Sequence, residues 1–220
     1  MLKLHGFSQS GNTFKVAFLL RALGVPWQPV PIGFAEFAGG ATRDPAWRDR
    51  VNEMGEVPVL EDESGRKFTQ SGVILTMLAE QHGRFGGRDA DERREVLRWL
   101  FFDNHKFTSY FATWRFMKSF AATAPDPTIA TWLRGRIDNA FGIVDKHLAG
   151  REFVLDTFSI ADAYLYTVLN WSMATPVKFD RFPAIAAYFE RMKKRPSVAK
   201  AFGEELALYK AEQARHKQAA

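Results

Sequence analysis

The sequence of 220 residues has no cysteine, which excludes disulfides, thiolate metal sites and any cysteine nucleophile supplied by the chain itself. It has no run approaching the ~18 consecutive apolar residues of a bilayer-spanning helix. The opening Met1-Leu2-Lys3-Leu4-His5-Gly6 lacks the apolar core of a secretory leader. A cytoplasmic protein with no membrane partner is therefore expected. Repeats and low-complexity tracts are missing, and no metal is expected. The body of the chain also has no charge excess. The formal net charge of +5 sits in Arg191 to Ala220, with eight Lys/Arg against three Asp/Glu, and the other residues carry 22 of each sign. A basic terminal helix is ordinarily a solvated face. No arginine-rich arm or aromatic–basic platform accompanies it, so no nucleic-acid partner is expected.

What is present is apolar mass. With 46% hydrophobic and 14% aromatic residues, the chain is too apolar to be disordered. A chain this long buries roughly 70% of the surface its unfolded form exposes, and forms one large domain or two small ones. The first eighty residues alternate between strand and helix signals. Leu2 to His5 alternates with period two and stops at Gly6, which suits a strand. Asn12 to Leu23 carries Phe14, Ala17, Phe18 and Leu20 on a helical repeat, closed by Gly24-Val25-Pro26. Trp27 to Ile32 reads as a strand that Pro29 and Pro31 confine to a sheet edge. Phe34 to Asn52 is irregular, with a short helix around Ala46 to Val51. Val57 to Leu60 and Arg66 to Thr69 form a hairpin about a polar turn, and Ser71 opens a helix.

Residues 82–91 hold three glycines and several charges without apolar periodicity, which marks a boundary. Beyond it only helices are predicted, over Ala90–Phe120, Pro127–His147, Ile160–Met173, Phe182–Lys194 and Ser197–Gln213. Thr123 to Pro127 and Thr175-Pro176 are the intervening loops. The division is 1–82 as a small α/β domain, 83–91 as a linker and 92–220 as an all-α domain.

Three segments can carry chemistry. Gly6 to Asn12 joins the first strand to the first helix, and a helix N-terminus presents unpaired N–H groups and a positive dipole end suited to an anion. Ser10 there either caps the helix or donates a hydrogen bond to a bound thiolate or carboxylate. In Val57-Pro58-Val59 a proline enters a strand. It sits either at an edge in trans, or in a cis bond that turns the preceding backbone polar groups toward a peptide ligand. Gln70-Ser71 opens the third helix, with Ser71 as a plausible N-cap and Gln70 as an amide able to donate and accept.

Ser10 with Lys15-Val16, Val57-Pro58-Val59-Leu60 and Gln70-Ser71-Gly72-Val73-Ile74 together resemble the glutathione S-transferase superfamily, in its cytosolic form with a serine-type active site. Phe158 to Ala163 resembles that family's helix-start motif, and Ser159 with Asp162 also reads as a capping-box variant. Phe182 to Met192 and Arg195-Pro196-Ser197-Val198 resemble its later helices. The resemblance implies a thioredoxin-like N-terminal domain with a four-stranded mixed sheet, then an all-helical domain. It implies glutathione as co-substrate, with Val57 bonding the cysteinyl backbone, Pro58 cis, Gln70 and Ser71 holding the γ-glutamyl carboxylate, and Ser10 donating to the sulfur. It also implies a homodimer and a role in detoxification. Glu56 is acidic where the family often has Lys. His105-Lys106 is similar to a pair in the bacterial beta class, but falls about one helical turn early.

The reaction implied is attack of bound glutathione thiolate on a hydrophobic electrophile. A glutathione-dependent peroxidase or disulfide reductase is an alternative, as is a non-catalytic glutathione-binding carrier. Nine of the 23 residues from Arg98 to Phe120 are aromatic. Tyr110, Phe111 and Trp114, with Phe7, either line the pocket for the electrophile or belong to core and subunit contacts.

Overall fold

The computed structural model describes residues 1–33, 40–121, 123–171 and 178–219. The expected ends of the irregular segment beginning at Phe34 and of the helix ending at Met173, and the Thr175-Pro176 loop, lie outside the described residues. The described residues form two compact units, one of 1–82 with 195–220 and one of 83–194.

The first unit contains β1 (Leu2–Gly6), α1 (Gly11–Leu23), β2 (Trp27–Pro31), α2 (Pro45–Arg50), β3 (Val59–Glu61), β4 (Lys67–Thr69), α3 (Ser71–His82) and α9 (Pro196–Ala219). The four-stranded sheet has the order β2-β1-β3-β4. β1 pairs with β2 in parallel and with β3 antiparallel, and β3 pairs antiparallel with β4. This is the thioredoxin-like mixed sheet, with proline-bearing β2 at an edge, where missing N–H donors cost least. Lys3 and His5 on β1 bond the Glu61 carboxylate of β3 at 2.7 and 3.1 Å and hold its pKa below the ordinary value.

α1 is buried along most of its length through Phe14, Val16, Phe18, Leu19 and Leu20, and it packs on α3. It ends where Gly24 and Val25 return their N–H groups to the carbonyls of Arg21 and Leu20. Its other neighbour is α9, which differs from the sequence-based division at 92–220. Residues 195–220 group with the α/β unit because α9 lies against α1, with Val198 and Ala201 buried. Arg21 on α1 bonds Glu204 of α9 at 2.8 Å.

The second unit contains α4 (Ala90–Phe102), a π-helical segment (Asp103–Ala112), α5 (Thr113–Ser119), α6 (Pro127–Leu148), α7 (Ile160–Asn170) and α8 (Pro183–Lys193). The single helix expected over Ala90–Phe120 is thus interrupted by i→i+5 geometry, seen also in the side-chain bonds Thr108 to Asp103 and Ser109 to the Asn104 carbonyl. Residues 83–91 belong to this unit rather than hanging as a free linker: the Phe85 carbonyl accepts from Ile160 N–H, and Arg88 bonds Glu92 and Asp156. The core is aromatic, with Phe107, Phe111 and Phe182 all packed on Phe141. The capping box opens α7: Asp162 accepts from the N–H and hydroxyl of Ser159, from Val154 N–H and from the Tyr188 hydroxyl.

Candidate functional site at one end of the sheet

The strand registers bring the three sequence-predicted segments together. His5 lies opposite Val59, and Val59 lies opposite Thr69. β1 runs toward Gly6 while β3 begins just after Pro58, so the exit of β1 and the entry of β3 share one end of the sheet. β4 runs toward Thr69 and delivers Gln70 and Ser71 to that same end. α1 and α3 both start there, so two helix N-termini face a common region.

Ser10 is the N-cap of α1: its hydroxyl oxygen accepts from Thr13 N–H at 3.2 Å, and its carbonyl accepts from Phe14 N–H. A hydroxyl that accepts from a backbone N–H retains its own proton to donate. Both sequence-based alternatives for Ser10 are therefore compatible with one geometry. Gly6 is required just before it, because a Cβ there would lie 2.3 Å from the Thr13 hydroxyl oxygen. Asn12, which sequence reasoning passed over, buries a side-chain oxygen that finds no partner among the described residues.

The Val57–Pro58 peptide is cis, which decides between the two readings of that proline. The approach to it is organised by Asn52, also missed from sequence. Its side chain donates to the Glu56 carbonyl at 2.8 Å and accepts from Met54 N–H at 3.1 Å. Gly55 completes the turn at φ 68°, where a Cβ would meet the Thr42 carbonyl oxygen at 2.7 Å. An Asn-x-x-Gly spacing was the available signal.

At the third segment the cap moves by one residue. Ile74 N–H bonds the Gln70 carbonyl, so Gln70 and not Ser71 is the N-cap of α3, and Ser71 is buried in the first turn. Gln70 is held at φ 64°, a left-handed conformation that side chains adopt at a cost. Its amide donates to Glu56 Oε2 at 3.0 Å, so the acidic Glu56 orients Gln70.

The proposed electrophile contacts fall in both units. Phe7 is half-buried and lines a small apolar cleft of about 30 Å³ with Leu4, Phe14, Trp27 and Leu208, all in the first unit. In the second unit Phe111 is fully buried, packed edge-on against Phe141 and Trp171, which makes it a core residue instead of a pocket wall. Trp114 is buried beside the cations of Lys118 and Arg134. Tyr110 is half-buried, with its ring edge-on to the exposed Trp132 at 5.4 Å. His105 is exposed on the π-helical segment.

Comparison with known proteins agrees with this geometry. Residues 1–80 match the model of the glutathione S-transferase N-terminal domain, and residues 45–191 match that of its C-terminal domain. Glutathione S-transferase GstA of Escherichia coli O157:H7 is 28% identical over 70% of this chain and 76% of its own length. Glutathione S-transferase GST-4.5 of Xanthomonas campestris is 28% identical over 76% of this chain and 83% of its own. A solved glutathione S-transferase from Pseudomonas fluorescens superposes with a TM-score of 0.79 at 28% identity, covering 89% of this chain and 96% of that one. The sheet, the cis proline, the paired helix starts and the extent of these matches place the chain in the glutathione S-transferase superfamily.

Proposed function

We propose that this chain is a glutathione transferase that binds glutathione at the common end of the sheet and activates its thiol for attack on hydrophobic electrophiles. The observation that carries the reading is the convergence of Ser10, the cis Val57–Pro58 bond and the Gln70-Ser71 helix start on that end. In this reading Val57 offers its backbone polar groups to the cysteinyl residue. The α3 N-terminus, with Gln70 and Ser71, receives the γ-glutamyl carboxylate. The Ser10 hydroxyl donates a hydrogen bond to the sulfur, and the thiol proton leaves to solvent. That hydrogen bond and the α1 dipole favour thiolate over thiol, and thiolate is the nucleophile. The sulfur forms a bond to an electrophilic carbon as the leaving group departs, and Ser10 forms no covalent bond. A homodimer belongs to the same reading. Detoxification in the cytoplasm is the role that fits.

A second reading has its own support. A glutathione transferase from Pseudomonas putida and URE2P6 from Phanerochaete chrysosporium were both crystallised with oxidised glutathione. A disulfide reductase or peroxidase would use the same thiolate, with a second glutathione completing the exchange because the chain has no cysteine. A carrier without turnover is the third.

The deciding experiment is a melting-temperature series in glutathione followed by an assay against halo-aromatic, epoxide, peroxide and disulfide substrates. Binding to the native state raises Tm by mass action, and no shift at millimolar glutathione removes the site. Turnover of the first two classes establishes the transferase, turnover of only the last two the reductase, and a Tm shift without turnover the carrier.

A further inference from the structure

The β1–α1 loop that presents Ser10 is tied to the far end of the chain. Between the last ladder residue, Gly6, and the cap, Ser10, the backbone turns on a bond from Ser10 N–H to the Phe7 carbonyl at 3.1 Å. Inside that turn Ser8 is 8% exposed, and its hydroxyl donates to Glu212 Oε2 at 3.1 Å. Glu212 lies in the last third of α9 and is itself 5% exposed. Its partner is 204 residues away in sequence. Docking α9 on α1 needs no carboxylate, because Val198 and Ala201 already bury apolar surface there. A glutamate in that position pays desolvation that an apolar residue would avoid, and one of the contacts it gains is a directed bond to this loop.

We propose that Glu212 is a positioning residue for the thiol chemistry: through Ser8 it fixes the Phe7–Ser10 turn so that the Ser10 hydroxyl stays aimed at the glutathione sulfur. This rests on the reading of Ser10 given above. Glu212 touches neither sulfur nor electrophile, so its effect falls on kcat and leaves glutathione binding in place. Glu212→Ala is expected to lower kcat about tenfold, with KM for glutathione within about twofold, because small misplacements of a reacting group are costly. Ser8→Ala, a milder change, is expected to match it, and the double variant to lose no more than either single one. Glu212→Gln keeps an oxygen that accepts from Ser8 and is expected to restore most of the rate.

Hydrogen exchange read without substrate supplies an independent arm. The amides of Ser8 to Ser10 exchange faster in Glu212→Ala, while α1 and the rest of α9 keep their protection. An unchanged kcat, additive losses in the double variant, or faster exchange along all of α9 without rescue by Gln overturns the proposal. A wild type with no glutathione turnover overturns the functional reading instead, and the exchange arm then decides the tie by itself.

Discussion

The Ser10 hydroxyl performs a capping bond that any substitution disturbs, so the donor role has to be separated from it. Ser10→Ala loses the cap as well as the donor, at about 1 kcal/mol for the cap, whereas Gly at an N-cap costs only a few tenths. Ser10→Ala and Ser10→Gly should both lower kcat about a hundredfold, as loss of a directed donor does elsewhere. The glutathione dissociation constant should hardly move, and only the alanine variant should lose appreciable stability by urea titration. Rates equal to wild type would leave Ser10 as a cap alone. Asp162 makes the complementary case in the helical unit. Complete burial pushes its pKa up to about 6 despite its four donors. With an unfolded value near ~3.9, its contribution to stability is full below that pH and is lost as pH rises through about 6. Asp162→Asn turns an amide N–H₂ toward a backbone donor and should cost about 3 kcal/mol at pH 7. The margin in Tm of wild type over this variant should narrow from pH 4 to 6, and a constant margin would refute the assignment.

At the scale of elements, the corner between β1 and α1 is set by close approach. Gly6→Ala would drive a methyl into the Thr13 side chain, with 2.5 Å to Cγ2 as well, and should destabilise the fold by about 1–3 kcal/mol. Thr13→Ala removes both obstructing atoms, so the double variant should recover most of that loss in urea denaturation. No recovery would place the strain in the backbone. The elements themselves were largely legible. Pro29 and Pro31 gave the edge strand, Gly24 the end of α1, and Ser159 with Asp162 the start of α7. The π-helical stretch was not legible, because apolar periodicity over Arg98–Phe120 reads the same for a continuous α-helix. The cap of α3 was misplaced by one residue because serine is the better capper by propensity, while the chain holds Gln70 at φ 64° to make the turn.

At the scale of the molecule, α9 decides where the first unit ends. Its Val198 alone contributes about 2 kcal/mol of apolar burial. The partly exposed Arg21–Glu204 pair adds little. A chain ended after Lys194 should therefore lose protection against hydrogen exchange in α1 and melt its α/β unit at lower temperature, while the helical unit keeps its protection. Unchanged protection in α1 would show that α9 is dispensable to that unit. Charge gave no hint of this arrangement, since the surplus of +5 over Arg191–Ala220 suggested only a solvated helix.

The sequence by itself determined the kinds of elements, their order and most of their caps, because periodicity, prolines and capping residues act over a few neighbours. The missing cysteine also follows from it, so the chain itself supplies no thiol. Which end of the sheet gathers Ser10, Pro58 and Gln70 was decided by strand register. That Phe111 is core, that Asn52 and Gly55 shape the approach to the cis proline, and that Glu212 reaches Ser8 were decided by packing between segments far apart in the chain. Such contacts depend on how the chain folds back on itself, which local pattern does not encode.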